Sequence, residues 1–436
     1  MIASASGASG ASGASGAFAQ RRAIVAAIIS VALTGAAASA QVVETLGEVR
    51  VHGNHTTPDQ DILALAGLVV GSAVTEQSLA EAADKLRRSG RFADVEVRKR
   101  YRSIDNPADI LVIVLVDEHA AVSETDLMPG PLKRMRSLGM WLPVIEYADG
   151  YGFTYGARIS FVDTLGPRSR ISVPLTWGGE RRAALQADRA FDSGTVSRIE
   201  GGISISRREN PHYLIADTRH EARLRAERAL TTWLRVGGGA RVTNVEFSGV
   251  SERHVAPGLD VVVDTRVDPA YPRNAVHLVT GVEQLRFERS AHSVRWSTEF
   301  RGYLGLIGPS VLAVRATSIR ASDPLPQYEQ ALLGGNTTVR GYELGYRAGD
   351  NLAAVSAEVR WPITSPLNIG RLGLKGFVDA GTVYASGAKL GDQHFDRGIG
   401  AGVFFTATIL RAGLDVAWPE QGHGGPRWHF GLGVTF

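Results

Sequence analysis

The sequence predicts a mainly β protein in which a small α+β domain is followed by a transmembrane antiparallel β-barrel of about sixteen strands. Three observations predict it. From residue 141 to the C-terminus, apolar and polar residues alternate with period two, segment after segment, with no helical pattern between them. The chain closes on Trp428, Phe430, Leu432, Val434 and Phe436 at alternate positions, with Gly431 and Gly433 among the residues between them. It opens with an export signal: Arg21-Arg22, an apolar run at 23–33, and the small residues Ala38-Ser39-Ala40 before Gln41. That run is shorter than the roughly 20 residues needed to span a bilayer, so 1–40 reads as a signal peptide. Its Ala-Ser-Gly repeats at 1–16 are a low-complexity start.

Composition supports this frame. The 436 residues include 50 Gly and no Cys, which suits an oxidising compartment where stray thiols would cross-link. Lys and Arg number 47 against 44 Asp and Glu, a net charge of +3, and neither sign clusters as a nucleic-acid-binding surface requires. The charges instead recur inside strand-like segments, where they need water or a partner, as in a polar lumen. No G-x-S-x-G, phosphate-binding loop or pair of His at helical spacing beside an acid occurs. His423 and His429 fall on a hairpin and read as solvated. Gly237-Gly238-Gly239 lies inside an alternating segment and reads as close packing. The expectation is therefore a protein that is not an enzyme, with no catalytic residue, metal or cofactor.

The elements follow in order. Residues 46–118 have the pattern strand, helix, helix, strand, strand. Val49 and Val51 share one face of the first strand. Thr57-Pro58-Asp59-Gln60 then opens a helix, with Thr57 as cap, Pro58 in the first turn and Gln60 completing a capping box. Thr75 caps the second helix, Leu79, Ala82, Ala83 and Leu86 fall on one of its faces, and Gly90 ends it. Val95 and Val97 alternate in a strand rich in Arg and Lys. Residues 110–116 are continuously apolar, as expected of a central strand buried on both faces.

This stretch, 41–118, resembles a single POTRA domain, the periplasmic module of the BamA/TamA family. The matching residues are Val51-His52-Gly53-Asn54, Leu86 with Gly90-Arg91-Phe92, and Val114-Leu115-Val116-Asp117-Glu118. With 110–116 in the middle, the strand from 94 to 100 lies at an edge, where Val97 and Lys99 could meet an extended client segment. The basic residues Arg98, Lys99 and Arg100 would also guard that edge against uncontrolled pairing. A Pro-rich linker at 119–140 follows.

Barrel strands are expected near 141–147, 151–162, 168–177, 181–191, 197–208, 217–229, 232–247, 257–267, 274–288, 292–304 and 310–320. After a long loop at 322–350 come 351–361, 371–382, 397–406, 408–418 and 427–436. Glu221, Arg223, Arg225 and Glu227 make 217–229 compatible with a helix as well. In the last strand, a terminal aromatic behind alternating apolar residues resembles the signal by which barrel proteins are themselves assembled.

The loop 322–350 carries Leu333-Gly334-Gly335-Asn336, then Val339-Arg340-Gly341-Tyr342, then Gly345-Tyr346. Alone, an Arg-Gly-Tyr triplet would be a solvated turn. Its company gives it meaning: Glu358 in Ala357-Glu358-Val359-Arg360-Trp361 and Asp379 in Phe377-Val378-Asp379-Ala380-Gly381 stand on following strands. Alternation turns both carboxylates inward, away from Val355, Val359 and Val378. The set resembles the barrel of the BamA/TamA family, the bacterial surface antigen family. The resemblance implies that the loop folds back into the lumen and that Arg340 pairs there with Glu358 and Asp379. A guanidinium holding a carboxylate by two parallel hydrogen bonds orients a loop better than Lys could.

What the resemblance implies for function is an outer-membrane barrel, with its POTRA domain in the periplasm, that assists insertion or assembly of outer-membrane proteins. Its partners would be outer-membrane lipids, unfolded barrel or secreted client polypeptides, and a periplasmic partner reached through the POTRA domain. Relatives of this type have a weak seam between first and last strands. Here Pro143 removes a ladder donor from the first strand, and Gly431 and Gly433 soften the last. Two alternatives are a two-partner-secretion pore, a class that typically carries two POTRA modules and a plug helix where only 41–45 stands here, and a passive structural barrel.

Overall fold

The computed structural model describes residues 44–52, 54, 57–102, 108–118, 139–365, 370–407, 410–420 and 424–434. The expected signal peptide, most of the linker, His423, Phe436 and the Val434 side chain lie outside them.

The α+β part is built from β1 (Thr45–His52), α1 (Asp59–Ala66), α2 (Glu76–Arg88), β2 (Phe92–Tyr101) and β3 (Asp109–Glu118). Its sheet runs β1-β3-β2, with β3 parallel to β1 and antiparallel to β2. Thr75 caps α2 in a reciprocal box with Ser78, and Gly90, at φ 66°, lets the chain leave the helix. The start of α1 differs from expectation. Pro58 itself holds the cap position with extended ψ of 146°, its carbonyl accepts from Asp61, and no side chain caps the helix. Thr57 thus lies one residue outside, and its carbonyl accepts from the Asn54 amide instead.

Both helices cover the same face of the sheet. Ile110, Val112, Val114 and Val116 are buried against Ile62, Ala66, Leu79, Ala82 and Leu86. The alternate residues Leu111, Ile113 and Leu115 are only half-buried. β3 is therefore central in the sheet but covered on one side only. On its open face, Arg50 and Arg98 flank the apolar stripe and are held by Glu48 and Glu96.

The barrel begins with β4 (Gly139–Ala148), β5 (Gly152–Val162), β6 (Ser169–Gly178), β7 (Glu180–Ala190), β8 (Arg198–Asn210) and β9 (Ile215–Ala229). It continues with β10 (Leu234–Phe247), β11 (Val250–Asp264), β12 (Ala275–Phe287), β13 (Ser293–Gly305) and β14 (Val311–Ala321). The long loop holds two short strands, β15 (Ala331–Leu333) and β16 (Arg347–Gly349). The wall then resumes with β17 (Asn351–Thr364), β18 (Gly370–Tyr384), β19 (Asp396–Ala407), β20 (Leu410–Pro419) and β21 (Arg427–Val434). β4–β14 and β17–β21 form a closed antiparallel barrel of sixteen strands, with β21 returning to β4.

β9 is a strand along its whole length, paired to β8 and β10, because its charges alternate with residues that face out. β11 starts at Val250, earlier than expected. Ser248 and Gly249, at φ 54° and 74°, make a two-residue hairpin turn that extends the ladder to Phe247↔Val250. Glu252, His254 and Pro257 hide that extension in the sequence pattern. Outside, Tyr155, Trp177, Ile203, Leu259, Val355 and Trp428 are exposed, the apolar belt that lipid requires. At one end, Arg371 bonds Asp268, in the turn between β11 and β12, and the Tyr101 carbonyl of β2.

Candidate functional site

The loop 322–350 folds into the barrel and is docked at its tip. Val339 is fully buried with Leu333, Tyr342, Leu352 and Val383, an apolar plug between tip and wall. Beside it Arg340 is 4% exposed. Its Nε and Nη2 donate to the two oxygens of Asp379 at 2.8 and 2.9 Å, the fork-to-fork pair. Nη1 donates to Glu358 at 2.8 Å and Asp415 at 3.1 Å, Nη2 also to Ser356, and the backbone N–H of Arg340 to Asp379. The guanidinium lies 3.3 Å from the centre of the Phe377 ring. Gly341 turns the chain at φ 99°, where a Cβ would press 2.9 Å from the Pro419 nitrogen. The Tyr342 hydroxyl donates to the Glu420 carbonyl.

Glu358 and Asp379 thus meet Arg340 from β17 and β18. Asp415, Ser356 and Phe377 complete the cradle and were not singled out from sequence. Asp415 carried the same signal as Asp379: a lone acid in an alternating segment, Leu414-Asp415-Val416-Ala417. Lys375 closes the charge pattern, 2.9 Å from Asp415, and Arg360 pairs with Glu358 at 2.7 Å. A buried cation without these acids would be costly; with them the dock is neutralised and directional.

A second dock lies at the root of the same loop, with charges reversed. Glu329, buried in a short 3-10 turn, accepts from Arg219 at 3.0 Å and Arg295 at 2.8 Å, with Arg241 at 3.7 Å and His254 at 3.8 Å. Its neighbour Tyr328 donates to Glu252 at 2.7 Å. Nothing in the loop's local pattern marked Glu329, because its partners come from β9, β10, β11 and β13.

The remaining expected residues fall in three places. Trp428, Phe430 and Leu432 lie on the outer face of β21, with Trp428 and Phe430 exposed. Val97 and Lys99 lie on β2, which the sheet order leaves at an edge, but Val97 packs against the helix-covered core. Pro143 lies on β4, and Gly431 and Gly433 on the inner face of β21. Among the described residues these two strands share only the pairs Leu432↔Tyr147 and Gly433↔Glu146, with Pro143 upstream of both. Among the described residues every other barrel junction pairs over a longer run. His429 is not solvated: it is buried, with Nε2 accepting from the Gly341 amide at 2.9 Å. Below the tip, a cavity of about 590 Å³ reaches the seam, lined by Arg301, Arg315, Arg360, Lys375, Arg411 and Gly431 among others.

Comparison with known proteins agrees with this architecture. The profile of the Omp85 superfamily domain matches residues 152–436, and that of POTRA, described as a surface antigen variable number repeat, matches 44–119. The fold is similar to that of BamA from Haemophilus ducreyi lacking POTRA domains 1–3, with a TM-score of 0.60 at 14% identity over 90% of this chain and 84% of that one. It is also similar to CdiB from Escherichia coli, with a TM-score of 0.55 at 14% identity over 91% of this chain and 77% of the other. A search among curated protein sequences gives no match. A sixteen-stranded barrel with a docked Val-Arg-Gly-Tyr loop behind one POTRA domain, resembling bacterial outer-membrane proteins, places the chain in the Omp85 superfamily.

Proposed function

We propose that this barrel assists the insertion or assembly of other outer-membrane proteins through the β4–β21 seam, with the POTRA domain in the periplasm guiding unfolded clients towards it. The observation that carries the reading is the seam itself. Among the described residues two pairs join β21 to β4, where β10 and β11 pair without interruption along their length. Parting β4 from β21 breaks few ladder bonds and exposes two strand edges to which a client strand can add. The docked loop keeps the rest of the wall and the lumen in order while that happens.

Reconstitution tests this. Purified protein in liposomes, offered an unfolded outer-membrane barrel protein, should speed its folding at least several-fold over empty liposomes, read as heat-modifiable product on gels. No acceleration with any of several barrel clients would count against the proposal. A polypeptide-secretion pore is the second reading, supported by the charged cavity beneath the loop. It predicts passage of a secreted polypeptide into the liposome lumen with no effect on barrel folding.

A further inference from the structure

Among the described residues the seam has two ladder pairs, and side chains join its strands as well. On the lipid side the rings of Tyr147 and Phe430 meet across it with centroids 5.1 Å apart. On the lumen side His429 of β21 reaches Asp149, in the turn after β4, with Nδ1 2.5 Å from a carboxylate oxygen. The other ring nitrogen, Nε2, faces the backbone amide of Gly341 at the loop tip.

Hydrogen accounting fixes the state of this ring. A backbone N–H only donates, so Nε2 must offer its lone pair to Gly341. A neutral imidazole carries one proton, which therefore sits on Nδ1 and is donated to Asp149. One tautomer satisfies both bonds at once. The ring is buried, so water does not readily replace either partner.

His429 thus joins three pieces of the molecule: the turn after the first barrel strand, the last strand, and the loop tip. The same pieces touch again around it. Arg427 of β21 pairs with Glu343 of the loop. A Cβ at Gly150, in the turn, would meet the Leu344 side chain at 2.8 Å. Two adjacent loop residues divide the labour, since Arg340 docks to the wall strands β17, β18 and β20 while Gly341 docks to the seam.

We propose that His429 is a positioning residue that clasps the seam from the lumen side and ties its opening to the loop tip. β4 and β21 part when the ring loses Asp149, Gly341 or both. The inference rests on the seam reading above and adds to it the group that holds the seam shut.

The test measures the seam with no client present. Spin labels on cysteines replacing Tyr155 and Leu414 sit on lipid-facing positions of β5 and β20, flanking the seam, in a chain with no native Cys. His429→Leu and Asp149→Ala should both broaden the interlabel distances and extend them by roughly one strand spacing, about 5 Å. Asp149→Asn keeps a carbonyl that accepts from Nδ1–H and should retain the parental distribution. Heat-modifiability certifies that each variant is folded. Asp149 lies in a turn, so Asp149→Ala carries the test if His429→Leu does not fold. Parental distances in Asp149→Ala and in any folded His429→Leu, or equal opening in Asp149→Asn, would overturn the clasp. An opened seam in these variants, with neither the parental barrel nor the variants speeding client folding in liposomes, would support the clasp and count against the proposed function.

Discussion

Two junctions of one barrel wall are held by different means. β10 and β11 pair residue for residue from Leu234↔Val263 to Phe247↔Val250. Among the described residues β21 and β4 share two pairs, and their contact is completed by Tyr147 on Phe430, His429 on Asp149, and a loop whose Gly341 amide meets His429. A continuous ladder is cooperative and separates only when many backbone bonds break together. A junction closed by a few side chains can open while the remaining strands stay paired. Arg340 and Glu329 pin the loop to wall strands away from the seam, and the Gly341 amide gives it a hydrogen bond to β21 across from Asp149.

The largest effect expected from breaking this arrangement is at Arg340. Arg340→Ala leaves Asp379, Glu358 and Asp415 buried with their shared cation gone. Removing one partner of such a buried set costs about 3–5 kcal/mol. The loop should become protease-sensitive in a barrel that still inserts, while Arg340→Lys, which loses the two-pronged bond to Asp379, recovers part of the protection. Next comes Gly398, on β19. A Cβ there would lie 1.9 Å from the Arg340 carbonyl, so Gly398→Ala must push the tip off the wall. A cost of about 1–3 kcal/mol is expected, read as loop cleavage with Arg340 intact.

Glu329→Gln should rank third. The amide keeps one acceptor, and Arg219 and Arg295 retain Asp217 and Glu283, so about 1.5–3 kcal/mol is lost and the loop root loosens while the tip holds. Protease mapping distinguishes the two ends of the loop. Smallest is Gly433→Ala. A Cβ at Gly433 meets nothing within 4 Å, so the change should leave stability within roughly 0.5 kcal/mol. A large loss there would show that the seam is packed more tightly than its geometry indicates.

Much of this was legible in the sequence, because period-two alternation reports which face of a strand meets lipid. It marked the sixteen wall strands and turned Glu358 and Asp379 inward. It was blind where the pattern is broken. Glu252, His254 and Pro257 obscured the first half of β11. His429 was read as solvated, because a histidine on a hairpin gave no hint that a turn after the first strand and a loop tip would close around it. Glu329 was invisible for the same reason, since four strands distant in sequence supply its partners. The central strand of the POTRA sheet misled in the opposite direction. An unbroken apolar run suggested two covered faces, and the chain covers one with helices and leaves the other half-buried between Arg50 and Arg98.

The claim that the seam must open is tested most directly by locking it. Glu146 and Gly433 face each other across the junction, and the absence of native Cys makes E146C/G433C a clean pair. With the disulfide formed, verified by mass spectrometry, acceleration of client folding in liposomes should fall to that of empty liposomes and return on reduction. Undiminished acceleration by fully cross-linked barrel would contradict the account.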